Sequence, residues 1–194
     1  MIDFSLIFAS YIIGSFSSAV IICKMMGIPD PRYNGSNNPG ATNVKRLGGN
    51  KAAAFVLFGD SIKGLLPVLG SAWLGVSEII LACVGMAVFL GHLYPIFFKF
   101  VGGKGVATSI GILFGLNVLV GFLVATIWLL VAKITKISSL SAIVSLIFSP
   151  AIIYFIQPSV ELITMQIAIT SILLWRHRKN ISNLISGKEA KMKN

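Results

Sequence analysis

Hydrophobic residues run almost unbroken through six stretches of the chain, at roughly 4–23, 52–74, 79–98, 106–134, 138–155 and 162–175. A helix crossing a bilayer needs about 20 apolar residues, so the pattern predicts membrane helices rather than a soluble core. The fourth stretch is too long for one crossing and short for two, since each residue rises about 1.5 Å along a helix. Charge placement decides how it is read. With a turn at Gly115-Leu116-Asn117 the chain has seven helices, and every Lys and Arg except Lys63 falls on one side. Asp3, Glu78 and Glu161 then share the other side, which has no basic residue. Because cytoplasmic loops are enriched in Lys and Arg, the expectation is an all-α integral membrane protein. It has seven transmembrane helices, the N-terminus outside and the C-terminus cytoplasmic. The turn predicts two short helices of about 13 residues each, some 20 Å long.

Composition strengthens this reading. Hydrophobic residues make up 56% and charged residues only 11% of the 194 residues, with a mean hydropathy of +0.89; soluble domains carry about 25% charged residues. A soluble globular protein is excluded, and residues 1–194 read as a single membrane-embedded domain with no room for a separate soluble catalytic domain. The net charge of +10, from 16 Lys and Arg against 6 Asp and Glu, reports topology before it reports anionic ligands, and nucleic acid is not indicated. Cys23 and Cys83 lie inside apolar runs without metal-ligand spacing and read as packing residues. The opening MIDFSLIFAS lacks a basic segment before its apolar run, so it reads as a retained span and not as a cleaved signal. The outer loops are tiny, which puts function on the cytoplasmic face.

Two cytoplasmic segments carry candidate chemistry. The first, PDPRYNGSNNPGATNVKRLGGN at 29–50, is dense in glycine and in small hydroxyl and amide residues: Gly35, Ser36, Asn37, Asn38, Gly40, Thr42 and Asn43, followed by Lys45 and Arg46. Such a stretch turns N–H groups and positive charge toward an oxyanion, as a phosphate requires; its plain alternative is a polar connector. The second, Gly102-Gly103-Lys104-Gly105, directly precedes an apolar helix whose N-terminus favours anions. Alone it is equally well a flexible turn. It is not a nucleotide P-loop, since the leading glycine of GxxxxGK and the Ser or Thr after the lysine are both missing. Asp60 and Lys63, at i and i+3 inside the second apolar stretch, face one another on one side of a helix. They are either a functional pair at membrane depth or a structural ion pair. The remaining cytoplasmic acids, Asp30 and Glu189, do not form a carboxylate cluster for a hard cation, and no metal or other cofactor is expected. His177, among Arg176, Arg178 and Lys179, is expected to be neutral. The tail at 188–193 reads as a basic anchor at the lipid surface.

Taken together, GSNNPGATN with Arg46, GHLYPIFFKFVGGKGVAT from Gly91 to Thr108, the Ser138-Ser139-Leu140 entry to the sixth predicted helix and the closing RHRKNISNLISGKE resemble the bacterial membrane acyl-phosphate:glycerol-3-phosphate acyltransferase family over essentially the whole chain. The resemblance implies a seven-helix enzyme of the bacterial cytoplasmic membrane with its active site facing the cytoplasm. It implies transfer of a fatty acyl group from acyl phosphate to glycerol 3-phosphate, giving lysophosphatidic acid and inorganic phosphate in the first acylation of phospholipid biosynthesis. It also implies a functional link to the soluble phosphate acyltransferase that makes acyl phosphate. The family lacks the HxxxxD motif of other glycerolipid acyltransferases, as this chain does around His92 and His177. By position, the resemblance makes Ser36, Arg46, Lys104, His177 and Asn180 catalytic. Asn38, Gly40, Thr42, Asn43, Gly102, Gly103, Gly105 and Ser139 are placed on the substrate phosphates. Two departures stand out: Asn37 occupies a position usually held by glycine, and Ser139-Leu140-Ser141-Ala142 replaces a frequent SLAS, which favours Ser139 over Ser141. The rival from another class is a transporter of phosphorylated anions using the same loops. The one-sided loops and the lack of an internal repeat argue against it.

Overall fold

The computed structural model describes residues 2–192, and among them every regular element is helical. The helices are α1 (Ile2–Gly14), α2 (Ser18–Met25), α3 (Ala41–Trp73), α4 (Glu78–Leu93), α5 (Val106–Leu116), α6 (Val118–Thr135), α7 (Ser138–Ile156), α8 (Val160–Arg176) and α9 (Arg178–Ile185), with a single 3₁₀ turn at Ile96–Phe98. Four helices, α3, α4 with its 3₁₀ extension, α6 and α7, are long and apolar enough to cross a membrane, and α1 with α2 makes a fifth if the bent pair is one span. Phe8, Phe58, Leu129, Ile134 and Phe155 project outward from the bundle, as lipid-facing side chains do. The buried interior is formed by Phe89, Leu93, Ile112, Leu113, Leu146, Ile169 and Leu173, which join α4, α5, α7 and α8.

Three boundaries differ from the expectation. The first apolar stretch is not one rod: α1 and α2 meet at 41° across Ser15-Phe16-Ser17. Here the Ser15 hydroxyl turns back to the Tyr11 carbonyl at 2.9 Å, and the Phe16 carbonyl, outside both helices, accepts a hydrogen bond from Lys63 Nζ at 2.8 Å. A side chain thus satisfies the backbone group that the break releases, which apolar surroundings require. Second, the first cytoplasmic segment is only partly a loop. Helix α3 begins at Ala41 and runs through Thr42, Asn43, Lys45 and Arg46, kinking at Gly49, whose φ is +82°.

The third difference is one of proportion. The break between α5 and α6 falls at Asn117, whose side chain accepts from the Leu119 and Val120 N–H groups and so caps α6. The helices on its two sides have 11 and 18 residues rather than two similar lengths. The short α5 lies against α3 at backbone contact distance. A Cβ on Gly64 would overlap the Thr108 carbonyl, and one on Gly111 the Ser61 carbonyl. Small residues that let backbones approach are a recurrent way to hold helices together in lipid. The contact fixes the start of α5, and with it the glycine-rich turn.

Candidate active site

The segment between α2 and α3 is braced from within. Asp30 binds the Arg32 guanidinium through both oxygens, the Nη2 contact at 2.6 Å and the Nε contact at 3.0 Å, and Arg32 also donates to the Phe98 carbonyl at 3.3 Å. The buried Asn43 amide donates to the carbonyls of Pro31 (3.1 Å) and Asn34 (2.9 Å) and accepts from the Ser36 N–H (2.9 Å). Both its amide hydrogens and one lone pair of its oxygen are engaged by the loop itself, and the side chain is buried, so Asn43 holds the loop's shape. Thr42 is likewise engaged, with its hydroxyl 2.9 Å from Ser138 Oγ at the start of α7. Asn37 has φ +56°. The left-handed conformation explains why this position suits glycine, and asparagine is among the residues that tolerate it.

The glycine-rich turn is sandwiched between two side chains. On one side a Cβ on Gly103 would overlap the His92 imidazole, and one on Gly102 the carbonyls of His92 and Leu93, so only glycine allows the turn to lie this close. On the other side Arg176 Nη2 donates to the carbonyls of Gly102 (3.1 Å) and Gly103 (2.9 Å), while the guanidinium lies over the Tyr94 ring, 5.8 Å from its centroid. Gly105, at φ +89°, caps α5.

Lys104 leaves this turn and donates through Nζ to Asn180 Oδ1. Asn180 in turn donates through Nδ2 to Glu189 Oε1 at 2.6 Å, and the same carboxylate oxygen accepts from Ser139 Oγ at 2.6 Å. The tail continues to a hydrogen bond from the Met192 N–H to the Lys136 carbonyl at 2.7 Å. Up to residue 192 the tail is therefore folded back on the bundle through Glu189 and Met192, with Lys188 and Lys191 exposed; Lys193 lies outside the described residues.

These groups surround a cavity of about 380 Å³ lined by Ser36, Asn37, Asn38, Lys104, Asn180 and Asn183, with Arg176, Arg178 and Lys179 on its basic side. Of the residues expected from sequence, Ser36, Asn38, Lys104 and Asn180 line it. Gly40 caps α3 beside Asn38, and Ser139 stands behind Glu189. Arg46 is exposed on the first turns of α3, outside the lining. Its charge still reaches Lys104: burial chiefly pushes the Lys104 ammonium down, Arg176 and Arg46 push the same way, and Glu189 opposes them. His177 is buried below, with Nδ1 2.9 Å from the Leu173 carbonyl. Burial first, then the charges of Lys104 and Arg176, lower its pKa to about 4, so the ring is neutral. Since a carbonyl only accepts, Nδ1 carries the hydrogen and Nε2 the lone pair. Partial burial pushes the Glu189 carboxyl up, but hydrogen bonds from Ser139, Asn180 and Asn183 and the Lys104 charge outweigh it and hold it below the usual glutamate value.

Sequence reasoning missed Arg176 and Glu189 as parts of the site. Arg176 was visible only as one more cation in a basic run, and nothing in the sequence shows that residue 189 returns to residue 180.

The small cavity, rich in cations and amides, lies at one end of the apolar helical bundle of an integral membrane protein. Residues 4–187 match the family model described as glycerol-3-phosphate acyltransferase. The chain is 50% identical over 189 residues to the glycerol-3-phosphate acyltransferase of Hydrogenovibrio crunogenus, covering 97% of this chain and 90% of that one. It is 48% identical over 197 residues to that of Nitrosomonas eutropha, covering 99% and 98%. The fold matches the crystal structure of PlsY (YgiH), an integral membrane glycerol 3-phosphate acyltransferase, in its glycerol 3-phosphate form, with a TM-score of 0.94, 34% identity, and coverage of 100% of this chain and 96% of that one. The lysophosphatidic acid form of the same protein gives a TM-score of 0.91 at 34% identity, covering 98% and 95%. The chain belongs to the glycerol-3-phosphate acyltransferase family.

Proposed function

We propose that this chain transfers a fatty acyl group from acyl phosphate to glycerol 3-phosphate, releasing lysophosphatidic acid and inorganic phosphate. The cavity lined by Lys104, Asn180, Ser36 and the cations of 176–179 carries the reading, because it offers charge and directed donors to phosphate oxygens. Solved forms of the structural relative with glycerol 3-phosphate and with lysophosphatidic acid support the acceptor and the product. The donor is argued from chemistry. An acyl phosphate is a mixed anhydride whose phosphate departs readily, so the acceptor hydroxyl attacks the carbonyl directly and no acyl-enzyme is needed. What the protein contributes is positioning and stabilisation of charge developing on the phosphate. Neutral His177, with a conjugate acid near pKa 4, is a weaker base than a phosphate dianion, whose second pKa is about 6. The hydroxyl proton therefore passes to a substrate phosphate rather than to His177.

The seven-span arrangement, with the N-terminus outside and the cavity facing the cytoplasm of the bacterial inner membrane, belongs to the same proposal. It is supported by the gathering of basic residues around the cavity end and by the acidic Asp3, Glu78 and Glu161 at the opposite helix starts. Supply of acyl phosphate by a soluble phosphate acyltransferase follows from the donor. The test offers acyl phosphate, acyl-CoA and acyl carrier protein separately to the lipid-reconstituted chain. Lysophosphatidic acid from acyl phosphate alone, with no acylated protein trapped on rapid quenching, is the expected result. Use of either thioester in its absence, or an obligatory acyl-enzyme, would overturn it.

A further inference from the structure

Three titratable side chains with no part in the proposed chemistry are buried together behind the glycine-rich turn. Asp60 and Lys63 on α3 are 3% and 6% exposed, and His92 at the end of α4 is 7% exposed. Lys63 Nζ lies 2.8 Å from Asp60 Oδ1, and that oxygen lies 3.6 Å from His92 Nδ1. Lys63 also holds the Phe16 carbonyl at the break between α1 and α2. The far edge of the His92 ring is the surface on which Gly103 rests.

Burying an ion pair this deeply is a poor way to gain stability, since a well-packed apolar substitute is often equal or better. A charged pair at membrane depth is by default a functional hypothesis. Besides the hold of Lys63 on the Phe16 carbonyl, the pair has a second geometric consequence. The carboxylate oxygen lies beyond hydrogen-bond distance of Nδ1, which has no hydrogen-bond partner among the described residues, so the negative charge acts through space, favouring a hydrogen on Nδ1 while the Nε2 edge meets the turn. The ring is then one wall of a slot whose other wall is Arg176, hydrogen-bonded to Gly102 and Gly103. Lys104 is the next residue, and its ammonium enters the cavity from the turn held in that slot.

We propose that Asp60, Lys63 and His92 form a positioning relay: the buried pair orients the His92 ring, the ring fixes Gly103, and Gly103 sets where Lys104 presents its charge. The relay touches no substrate. It rests on the proposed function only in assigning Lys104 a place at the reacting phosphate. Displacement of a catalytic group by about 1 Å can cost up to about 100-fold in rate, so loss of the relay lowers kcat while leaving the affinity of the cavity's other donors largely in place.

The test compares the native chain in lipid vesicles with His92→Asn, His92→Gln and the charge-neutral pair Asp60→Asn/Lys63→Met. Melting is followed by tryptophan fluorescence, and kcat and KM are measured for both substrates. His92→Asn is expected to lower kcat about 10- to 100-fold with KM within about 3-fold. His92→Gln, whose longer side chain reaches toward the turn, recovers part of that loss. The paired variant lowers kcat by a smaller factor, because the ring remains but is no longer oriented. Native kcat in folded His92→Asn overturns the relay, as does a kcat that falls only in proportion to the folded fraction. Failure of both His92→Asn and the paired variant to fold also overturns it, marking the cluster as architectural. If the native chain itself makes no lysophosphatidic acid, the proposed function fails first, and that outcome is read from the control alone.

Discussion

Replacing Asn180 by alanine removes the side chain that joins Lys104 to the tail. Its Oδ1 accepts from Lys104 Nζ, and its Nδ2 donates to Glu189 at 2.6 Å. Both bonds involve a charged partner, and hydrogen bonds of that kind contribute about 1.5–3 kcal/mol each. On the proposed function the Lys104 bond bears directly on the transition state, since it would fix where the ammonium stands relative to the departing phosphate. Its loss alone corresponds to a fall of about 10- to 150-fold in kcat/KM. Asn180→Asp is the sharper variant. It keeps the acceptor but faces Glu189 with a second carboxylate and ties Lys104 to a full negative charge, so its loss is expected to equal or exceed that of alanine. The assay is initial-rate formation of labelled lysophosphatidic acid in vesicles, with melting followed in parallel. Both variants within about threefold of native kcat/KM, with unchanged melting, would refute the reasoning that Asn180 aims Lys104.

Other expectations follow from the same geometry. Asn43→Ala removes three loop hydrogen bonds, of which the one to the buried Pro31 carbonyl costs roughly 1–3 kcal/mol when left unsatisfied; lower melting should accompany weaker binding of glycerol 3-phosphate, seen by scanning fluorimetry and calorimetry. The folded pKa of His177, about 4, lies below its unfolded value, so the stability it contributes is complete above about pH 6.5 and is lost as pH falls toward 4, on the order of 3 kcal/mol in all; His177→Gln should flatten that limb of the melting curve against pH. The depressed Glu189 carboxyl contributes stability above the ordinary glutamate pKa that is lost as pH falls through its folded value. Glu189→Gln should accordingly loosen the tail at neutral pH, read as faster amide exchange over 186–192.

Much of this was legible before the fold. Apolar run lengths indicated an all-helical membrane protein, and the charge pattern placed a break at 115–117, where Asn117 caps α6. The motifs singled out Ser36, Asn38, Lys104 and Asn180, which do meet at one cavity. What escaped was whatever depends on pairing between distant segments. The bend at Ser15-Phe16-Ser17 carries no Pro or Gly of its own and is stabilised from another helix by Lys63. Asn43 looked like a ligand because an amide in a polar motif has the same composition whether it faces a phosphate or its own loop. Arg176 and Glu189 gain their meaning from contacts with Gly102, Gly103, Ser139 and Asn180, which no local spacing reports.

The most direct test of the central claim uses purified protein in lipid with palmitoyl phosphate and labelled glycerol 3-phosphate, without added metal, CoA or carrier protein, comparing the native chain with Lys104→Ala and Arg46→Ala. Labelled lysophosphatidic acid from the native chain, nearly abolished by Lys104→Ala and reduced by Arg46→Ala, is the predicted result. Folded native protein that binds glycerol 3-phosphate yet forms no lipid, or moves it unchanged across sealed vesicles, would contradict the account.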